Sequence, residues 1–383
     1  MEHFFSIYSL IYIPLIFCIF ISNLKTQKRV MVFWIIALTL FRGLRWDCGT
    51  DWYWYEKSFN DIDVTNFWRY ITIEEGNDIK ILEVGWGFLL MICKYAFGTY
   101  TSFLLFTNFI QLVLLYLISN MFTRRPIVVF VGFILNSNFF PVRQDLACMI
   151  YFYGLCWMLT KWKYSYFAFN GLAGLVHNSA WVMMPLYWVW RNVKLNFGWA
   201  IALLIGSYIL ADYFVPVIVP IALKIVGMIA PQVAAVANNY FKYGEVEVEF
   251  LSNPIYAFIL NLMFCTLFYK YIIQKKNLIL YGESSSSKTN AQEVTNALVN
   301  AFIFGIVILQ LFLRTVRSLS RVASYVTLAQ TILFAILFDN IRNKQTRIIA
   351  ITLYMLYLLY RFYRHFDFYP ELHFPYRSIF GIL

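Results

Sequence analysis

Apolar runs alternate with short polar segments along the whole chain, and most of the runs are long enough for a helix that crosses a membrane. About 20 apolar residues in an α-helix span the hydrocarbon region of a bilayer. The pattern therefore predicts an all-α, polytopic integral membrane protein with about 12 transmembrane helices, in a range of about 10–14. We place eleven of them at residues 4–22, 30–44, 102–122, 127–140, 164–176, 180–190, 197–211, 254–273, 294–313, 322–338 and 347–361. The remaining one, fifth in order, follows the external segment 141–145 and ends at Lys161-Trp-Lys163.

Two further apolar stretches do not fit a simple span. Residues 82–97 are short and are interrupted by Lys94, which predicts an amphipathic helix in the outer interface of the membrane. Residues 215–230 contain Pro216 and Pro220, which predict a broken or re-entrant piece.

The apolar runs continue from one end of the chain to the other, without an internal repeat. We therefore interpret residues 1–383 as a single transmembrane domain. Residues 45–101 are predicted to form an outer loop that contains the interfacial helix. The serine-rich stretch within 274–293 is predicted to be a flexible cytoplasmic loop.

Clusters of lysine and arginine indicate the orientation of the helices. Lys25, Lys28 and Arg29 separate the first two runs, and further basic clusters follow at alternate ends of later runs. Cytoplasmic loops carry an excess of Lys and Arg, so these clusters are predicted to be cytoplasmic and the N-terminus external. Residues 42–83 then lie outside, where nine acidic residues outnumber five basic ones.

Composition agrees with this class and excludes several others. The chain is 61% hydrophobic and only 13% charged, which is too little charge for a soluble domain of 383 residues. The net charge of +11 follows from the basic loops and does not indicate a nucleic-acid partner. The six cysteines form no CxxC pair, and no disulfide is implied. The four scattered histidines and the lack of HExxH, Walker and GxGxxG motifs predict no metal and no cofactor.

Several arginines at predicted outer helix ends depart from the positive-inside pattern. Arg314, Arg317 and Arg321 follow i, i+3, i+7 spacing and share one helical face, and Arg143 opens another helix. An arginine that faces lipid near the middle of the membrane costs about 2.5–3.5 kcal/mol, so these side chains should face a shared cavity. Charge-assisted bonds to a diphosphate would relieve their mutual repulsion. The alternative is that they pair with outer carboxylates.

Two residues are candidates for a general base. Asp51 follows a Gly49-Thr50 turn that presents it among aromatic residues, and its alternative role is to cap the helix that follows. His177 closes an apolar helix at its outer end, and its alternative role is structural.

The stretch 42–55 combines arginines and carboxylates with aromatic residues, among them Trp46, Trp52 and Tyr55. Aromatic faces stack on sugar rings, while Arg and Asp bind hydroxyl and phosphate groups, so the stretch suits a phosphorylated glycan. The alternative is an ordinary interfacial belt of Trp and Tyr.

Five motifs in order resemble the EpsG family, the Wzy-like polymerases of bacterial O-antigen and exopolysaccharide. They are Arg42-Gly-x-Arg45 with Gly49-Thr-Asp51-x-x-x-Tyr55, Arg143-Gln-x-x-Ala147, His177-Asn-Ser179-Ala-Trp-x-x-x-Pro185, Arg321-x-x-x-Tyr325 and Pro375-Tyr376-x-x-Ile379-Phe380. The resemblance covers nearly the whole chain. Asn178 stands where many members of the family have lysine.

The resemblance implies a multi-pass polymerase of the bacterial inner membrane whose site faces the periplasm. Its substrates would be oligosaccharide repeat units linked to undecaprenyl diphosphate, which is the leaving group, and a chain-length regulator would be a further partner. Asp51 or His177 would take the proton of the acceptor hydroxyl. The diphosphate would be held by Arg143, Arg314, Arg317 and Arg321, and sugars by Trp46 and the aromatic residues of 52–55, which include Trp52 and Tyr55. Arg45, Tyr325 and Tyr376 would also bind the substrate, at its diphosphate or its glycan.

Two other functions remain open from the sequence. A transporter or flippase of lipid-linked oligosaccharides would need charges along the whole translocation path, but the unexplained charges lie at one face. A lipid-linked glycan ligase or an acyltransferase would have a similar topology.

Overall fold

The computed structural model describes residues 6–49, 52–71, 82–140, 143–229, 254–275, 278–281, 291–313, 320–367 and 370–382. Within these ranges the chain forms fourteen α-helices and one two-stranded hairpin. The described residues are 81% helical, which confirms the predicted all-α class.

The α-helices are α1 (Ile7–Phe17), α2 (Leu24–Gly43), α3 (Trp52–Asp61), α4 (Val84–Phe97), α5 (Tyr100–Ser119), α6 (Pro126–Asn136), α7 (Arg143–Thr160), α8 (Ser165–Val176), α9 (Tyr187–Asn192), α10 (Phe197–Ile229), α11 (Pro254–Phe268), α12 (Ala291–Leu313), α13 (Thr327–Asn340) and α14 (Lys344–Arg364). Short 3-10 turns occupy Cys18–Phe20, Phe67–Tyr70, Asn178–Leu186, Arg321–Val326, His365–Asp367 and Pro370–Leu372, and a π-helical turn, Tyr269–Ile273, extends α11.

Four helical stretches in the described part of the chain are long and apolar enough to cross a membrane. They are Tyr100–Ser119, Ile255–Ile273, Ala291–Leu313 and Arg321–Asn340. Five shorter helices are also apolar. The protein is therefore a helical membrane protein, and the count of about 12 spans stays a prediction.

The second helix begins earlier than its apolar pattern indicates. Asn23 accepts a hydrogen bond from the Thr26 amide at 3.0 Å, which satisfies one of the unpaired N–H groups at the start of α2. The predicted loop residues Lys25, Lys28 and Arg29 therefore lie in the first turns of this helix.

The proline-containing stretches differ from their predictions in opposite ways. Where the pattern predicts one helix at 180–190, the chain forms a 3-10 turn over Asn178–Leu186 and only then α9. Pro185 lacks the N–H that an α-helix needs there. The prediction of a broken or re-entrant piece at 215–230 is wrong for the described residues, because α10 continues without a break to Ile229. An apolar environment favours helical backbone even across prolines, since unpaired peptide groups are costly there.

The chain divides into two compact units. The first comprises Met1–Met184, Leu280–Thr289 and Phe334–Leu383, and the second comprises Pro185–Ile279 and Asn290–Leu333. In the first unit α7 packs against α8, where a side chain on Gly154 would collide with Phe169. In the second unit α10 packs against α12, and Asn300 of α12 donates a hydrogen bond to the Val193 carbonyl at 2.7 Å.

The residues after α14 fold back as an ordered segment that the sequence pattern does not predict. Arg377–Ser378 and Gly381–Ile382 pair as a short antiparallel hairpin. Ser378 also bridges to Arg45, next to the end of α2. The segment 370–382, which we call the C-terminal segment, therefore lies against the stretch that follows α2.

Candidate functional site

Two arginines at the end of α2 form the centre of the candidate site. Arg42 lies in the last turn of the helix and Arg45 follows three residues later, so the side chains emerge close together. Arg42 is 2% exposed and Arg45 is 1% exposed. We call this pair the arginine cluster.

In the described part of the chain, no carboxylate pairs with the guanidinium groups of the arginine cluster. Nε and Nη2 of Arg42, and Nε and Nη1 of Arg45, are buried and have no hydrogen-bond partner among the described residues. Burial lowers the pKa of Arg45. Because a buried charge without a partner is costly, this arrangement is typical of a site that binds an anion.

Phe140 forms one wall of the arginine cluster. The guanidinium carbon of Arg45 lies 4.8 Å from the centre of the Phe140 ring. Gly49 approaches the same ring, and a Cβ atom on it would lie 3.0 Å from Phe140. Gly49 also has a φ of +87°, which favours glycine. The glycine of the predicted motif is thus required by both backbone conformation and space.

The C-terminal segment forms a second wall. The His373 ring stacks on Phe140 with a centroid distance of 5.8 Å, and its Nδ1 atom is buried without a partner in the described structure. Tyr376 stacks on Phe41 at 4.7 Å and donates a hydrogen bond to the Phe41 carbonyl at 2.6 Å. The arginine cluster is therefore bordered by residues from both halves of the sequence.

A buried glutamate joins two of the predicted motifs. Oε2 of Glu83 accepts a short hydrogen bond from Nη1 of Arg143, and Oε1 accepts one from the Asn178 amide at 3.2 Å. Oε1 also lies 3.8 Å from Nδ1 of His177. We call Glu83, Arg143, His177 and Asn178 the carboxylate junction.

The hydrogen bonds of His177 indicate where its proton lies. Nδ1 accepts the Ser179 amide at 3.2 Å, and the Ser179 hydroxyl lies 3.0 Å from the same atom. An imidazole nitrogen that accepts an N–H carries no proton, so neutral His177 holds its proton on Nε2. Nδ1 can take a proton only if the turn at Ser179 rearranges.

The arginine cluster and the carboxylate junction are neighbours along the chain. Phe140 contacts Arg45. Arg143 follows Phe140 by three residues, so the Cα atoms of Phe140 and Arg143 are at most about 11 Å apart. Tyr55 lies beside the junction, with its ring centre 5.7 Å from the Arg143 guanidinium carbon. Both groups belong to the first unit.

The structure places the predicted site residues in three groups. The first unit brings Arg143 and His177 together through Glu83 and places Arg45 nearby; Trp46, Trp52, Tyr55 and Tyr376 also belong to this unit. Arg321 and Tyr325 belong to the second unit, where Arg321 is exposed and Tyr325 is buried. Asp51, Arg314 and Arg317 lie outside the described residues.

The aromatic residues predicted to bind sugar differ in accessibility. Trp46 is 45% exposed, and its ring lies 5.0 Å from that of Trp52, which is buried. Tyr55 is buried against Trp86 at 5.7 Å. Of these three residues, Trp46 presents the largest surface to a ligand, and the buried Trp52 ring packs against it.

Four residues at the site were not among the predicted site residues. Arg42 belongs to a recognised motif and could have been added because it is a second arginine at a helix end. Glu83, Phe140 and His373 lie far in the sequence from the residues they contact, and no local pattern marks them.

The described residues contain no group of three or more His, Cys, Asp or Glu side chains that could hold a metal ion. The chemistry that this arrangement offers is anion binding by buried arginines, beside a histidine close to a carboxylate and an exposed aromatic surface.

These features describe a helical membrane protein with two buried arginines at the end of one helix in its first unit. The model of the EpsG family matches residues 28–378, and the chain belongs to that family. No curated protein and no solved structure matches the chain. Family membership and the apolar helices fit a membrane protein of polysaccharide biosynthesis.

Proposed function

We propose that this protein is a polysaccharide polymerase that joins oligosaccharide repeat units linked to undecaprenyl diphosphate. The observation that carries the proposal is the arginine cluster, whose buried guanidinium nitrogens lack partners among the described residues. A diphosphate offers oxygens that match the planar fork of arginine and supplies the missing negative charge.

In the proposed reaction the acceptor hydroxyl oxygen attacks the anomeric carbon of the growing glycan. The bond between that carbon and the diphosphate oxygen breaks, and undecaprenyl diphosphate leaves with the electron pair. Arg42 and Arg45 stabilise the charge that develops on the leaving oxygen, which is the type of interaction that lowers a barrier most. Arg143, Arg314, Arg317 and Arg321 remain proposed contacts of the substrate.

Asp51 is the proposed general base, and it takes the proton of the acceptor hydroxyl. The alternative base is His177, but its Nδ1 already accepts the Ser179 amide. In this proposal neutral His177 donates a hydrogen bond from Nε2 instead. Replacing Asp51 with Asn should therefore reduce turnover more than replacing His177 with Gln.

The site is proposed to face the periplasm of a bacterial inner membrane. The end of α2, the start of α4, the start of α7 and the end of α8 all contribute to it. In the orientation that the basic loops predict, each of these helix ends is external. The lipid-linked substrate would then reach the site from the outer leaflet.

The test compares polysaccharide from cells that carry Arg42→Ala, Arg45→Ala or the wild-type chain. Each variant should leave single repeat units on the lipid carrier and lose the ladder of longer chains, since removal of one such donor costs about 100-fold in rate. Arg342→Ala, which changes an exposed arginine in the loop before α14, serves as the control. Normal ladders from both site variants at normal protein levels would overturn the proposal.

The same cells distinguish the polymerase from the alternatives. A defective polymerase leaves single units exposed on the periplasmic side, whereas a defective flippase leaves them on the cytoplasmic side. A defective glycan ligase leaves long chains on the lipid carrier. Only accumulation of single periplasmic units agrees with the proposal.

A further inference from the structure

Glu83 uses its carboxylate in an unusual way for its position. It is the residue immediately before α4, with φ −70° and ψ 146°, where a side chain commonly caps the helix. The Glu83 side chain makes no such bond. Both of its oxygens instead point to other elements, toward Arg143 of α7 and toward the turn at Asn178.

Close packing fixes this arrangement. A Cβ atom on Gly85 would lie 2.7 Å from the Leu175 carbonyl oxygen, so α4 contacts the backbone at the end of α8 directly. The contact places Glu83 beside the residues that follow α8. The Glu83 side chain is 8% exposed and that of Arg143 is 13% exposed, so water competes little for their bond.

The contact to Glu83 occupies only one part of the Arg143 guanidinium. Nη1 donates to Glu83, while Nε is buried without a partner among the described residues. A guanidinium that is held through one nitrogen presents its remaining N–H groups in a fixed direction, because the group is planar. Arg143 is therefore held in place and still has a donor available.

We propose that Glu83 is a positioning residue that holds Arg143 and the His177–Asn178 turn in one arrangement and directs Nε of Arg143 to a phosphate oxygen of the substrate. The inference rests on the proposed function and names a residue that neither the motifs nor the family match assigns. Glu83 acts through Arg143 and the turn and does not contact the substrate itself.

The proposal predicts a particular pattern among variants of the full chain in native membranes. In Glu83→Gln an NH2 group replaces one of the two carboxylate oxygens, so it faces either Nη1 of Arg143 or the Asn178 amide, both of which are donors. Loss of orientation reduces the turnover number, by as much as about 100-fold, with a smaller effect on KM. Glu83→Asp keeps the charge and should recover part of the rate.

The decisive measurement is a double-mutant cycle on the rate at which lipid-linked units are extended. Because Glu83 acts in part through Arg143, the variant Glu83→Ala/Arg143→Ala should lose much less rate than the product of the two single losses. Effects that multiply would overturn the inference, and so would a Glu83→Gln variant with wild-type turnover. Asp61→Asn changes an exposed carboxylate at the end of α3 in the same unit and is the matched control, expected to retain its rate.

Thermal unfolding and the ladders of the site variants distinguish failure of this inference from loss of folding and from failure of the proposed function. Thermal unfolding in detergent shows whether Glu83→Gln retains a folded chain, and only folded variants enter the cycle. Normal ladders in Arg42→Ala and Arg45→Ala cells would overturn the proposed function. Ladders that require Arg45 but not Glu83 would overturn this inference alone.

Discussion

At the scale of single residues, His373 shows how the arginine cluster affects its neighbours. Its ring stacks on Phe140, which also contacts Arg45. Burial, together with the positive charge of Arg45, lowers the pKa of His373 from 6.5 to about 4. The imidazole is therefore neutral at pH 7, where it adds no charge to a site already rich in positive charge.

This shift predicts a pH dependence of stability. Between pH 4 and 6.5 the imidazole of His373 is protonated to a smaller extent in the folded chain than in the unfolded chain. The free energy of unfolding therefore rises with pH across this window. The contribution is complete above pH 6.5 and is lost as the pH falls toward 4. The fall in the pKa of His373 from 6.5 to about 4 corresponds to about 3 kcal/mol in the free energy of unfolding.

The measurement is thermal unfolding in detergent between pH 4 and 7 for the wild type and for His373→Gln. The wild type should lose melting temperature more steeply on acidification, because glutamine does not titrate. Parallel curves for the two proteins would show that the histidine does not titrate in this way.

Local motifs identified some site residues and not others for a physical reason. Arg45, Arg143 and His177 stand in short motifs that can be recognised without knowledge of the fold. Glu83 acquires its role only through contacts with residues 60 and 95 positions away. In the sequence it is one acidic residue among nine in an outer segment, and the pairing that distinguishes it is a property of tertiary structure.

At the scale of elements, the C-terminal segment and the stretch after α2 support each other. The Trp46 amide donates to the Arg377 carbonyl at 2.9 Å, and the Gly49 amide donates to the Leu372 carbonyl at 2.8 Å. Asp47 forms an ion pair with Arg377 at 2.8 Å. Because these bonds connect the C-terminal segment to the residues on either side of Cys48, they determine the shape of the wall beside the arginine cluster.

Two substitutions in the C-terminal segment should have very different effects. Tyr376→Phe removes the hydroxyl that bonds the Phe41 carbonyl and leaves that carbonyl buried, which costs about 1–3 kcal/mol in stability. Arg377→Ala removes an ion pair whose side chains are 46% and 53% exposed, which costs about 0.5 kcal/mol or less.

Thermal unfolding in detergent checks this order, with Tyr376→Ala as a more severe third variant because it also removes the ring that stacks on Phe41. Equal stability of Tyr376→Phe and Arg377→Ala would mean that the segment is held mainly by its backbone bonds.

The positions of most helices could be predicted from apolar runs, but not all of their ends. A hydrophobic pattern does not reveal the Asn23 cap that extends α2 over basic residues, because the cap acts through one side-chain hydrogen bond. It also does not reveal the C-terminal hairpin, in which Ser378 bridges to Arg45, more than 300 residues earlier in the sequence. Both features depend on specific polar contacts.

At the scale of the whole molecule, the first unit has two chemically different sets of helix ends. One set carries the arginine cluster and the carboxylate junction. At the other, the Asp339 carboxylate near the end of α13 accepts hydrogen bonds from the Thr123 hydroxyl at 2.5 Å and the Arg124 amide at 2.7 Å, before the start of α6. The starts of α2 and α14 lie at the same side, because Gln27 of α2 donates a hydrogen bond to the Arg124 carbonyl and Arg347 of α14 lies near Arg125.

This division supports the orientation predicted from the basic loops. The second set contains Lys25, Lys28, Arg124 and Arg125 and is expected to be cytoplasmic. On that expectation the first set would be periplasmic, on the side where lipid-linked repeat units are proposed to be joined.

Reporter fusions test the orientation directly. A reporter that is active only in the periplasm should be active when fused after Gly76, which lies outside the described residues, and inactive when fused after Arg342, in the loop before α14. A fluorescent reporter that folds only in the cytoplasm should give the reverse pattern and controls for expression. Cytoplasmic signals at Gly76 would place the arginine cluster on the wrong side for a periplasmic polymerase. Periplasmic signals at both positions would mean that the chain between them crosses the membrane an even number of times, which contradicts the predicted alternation of helices.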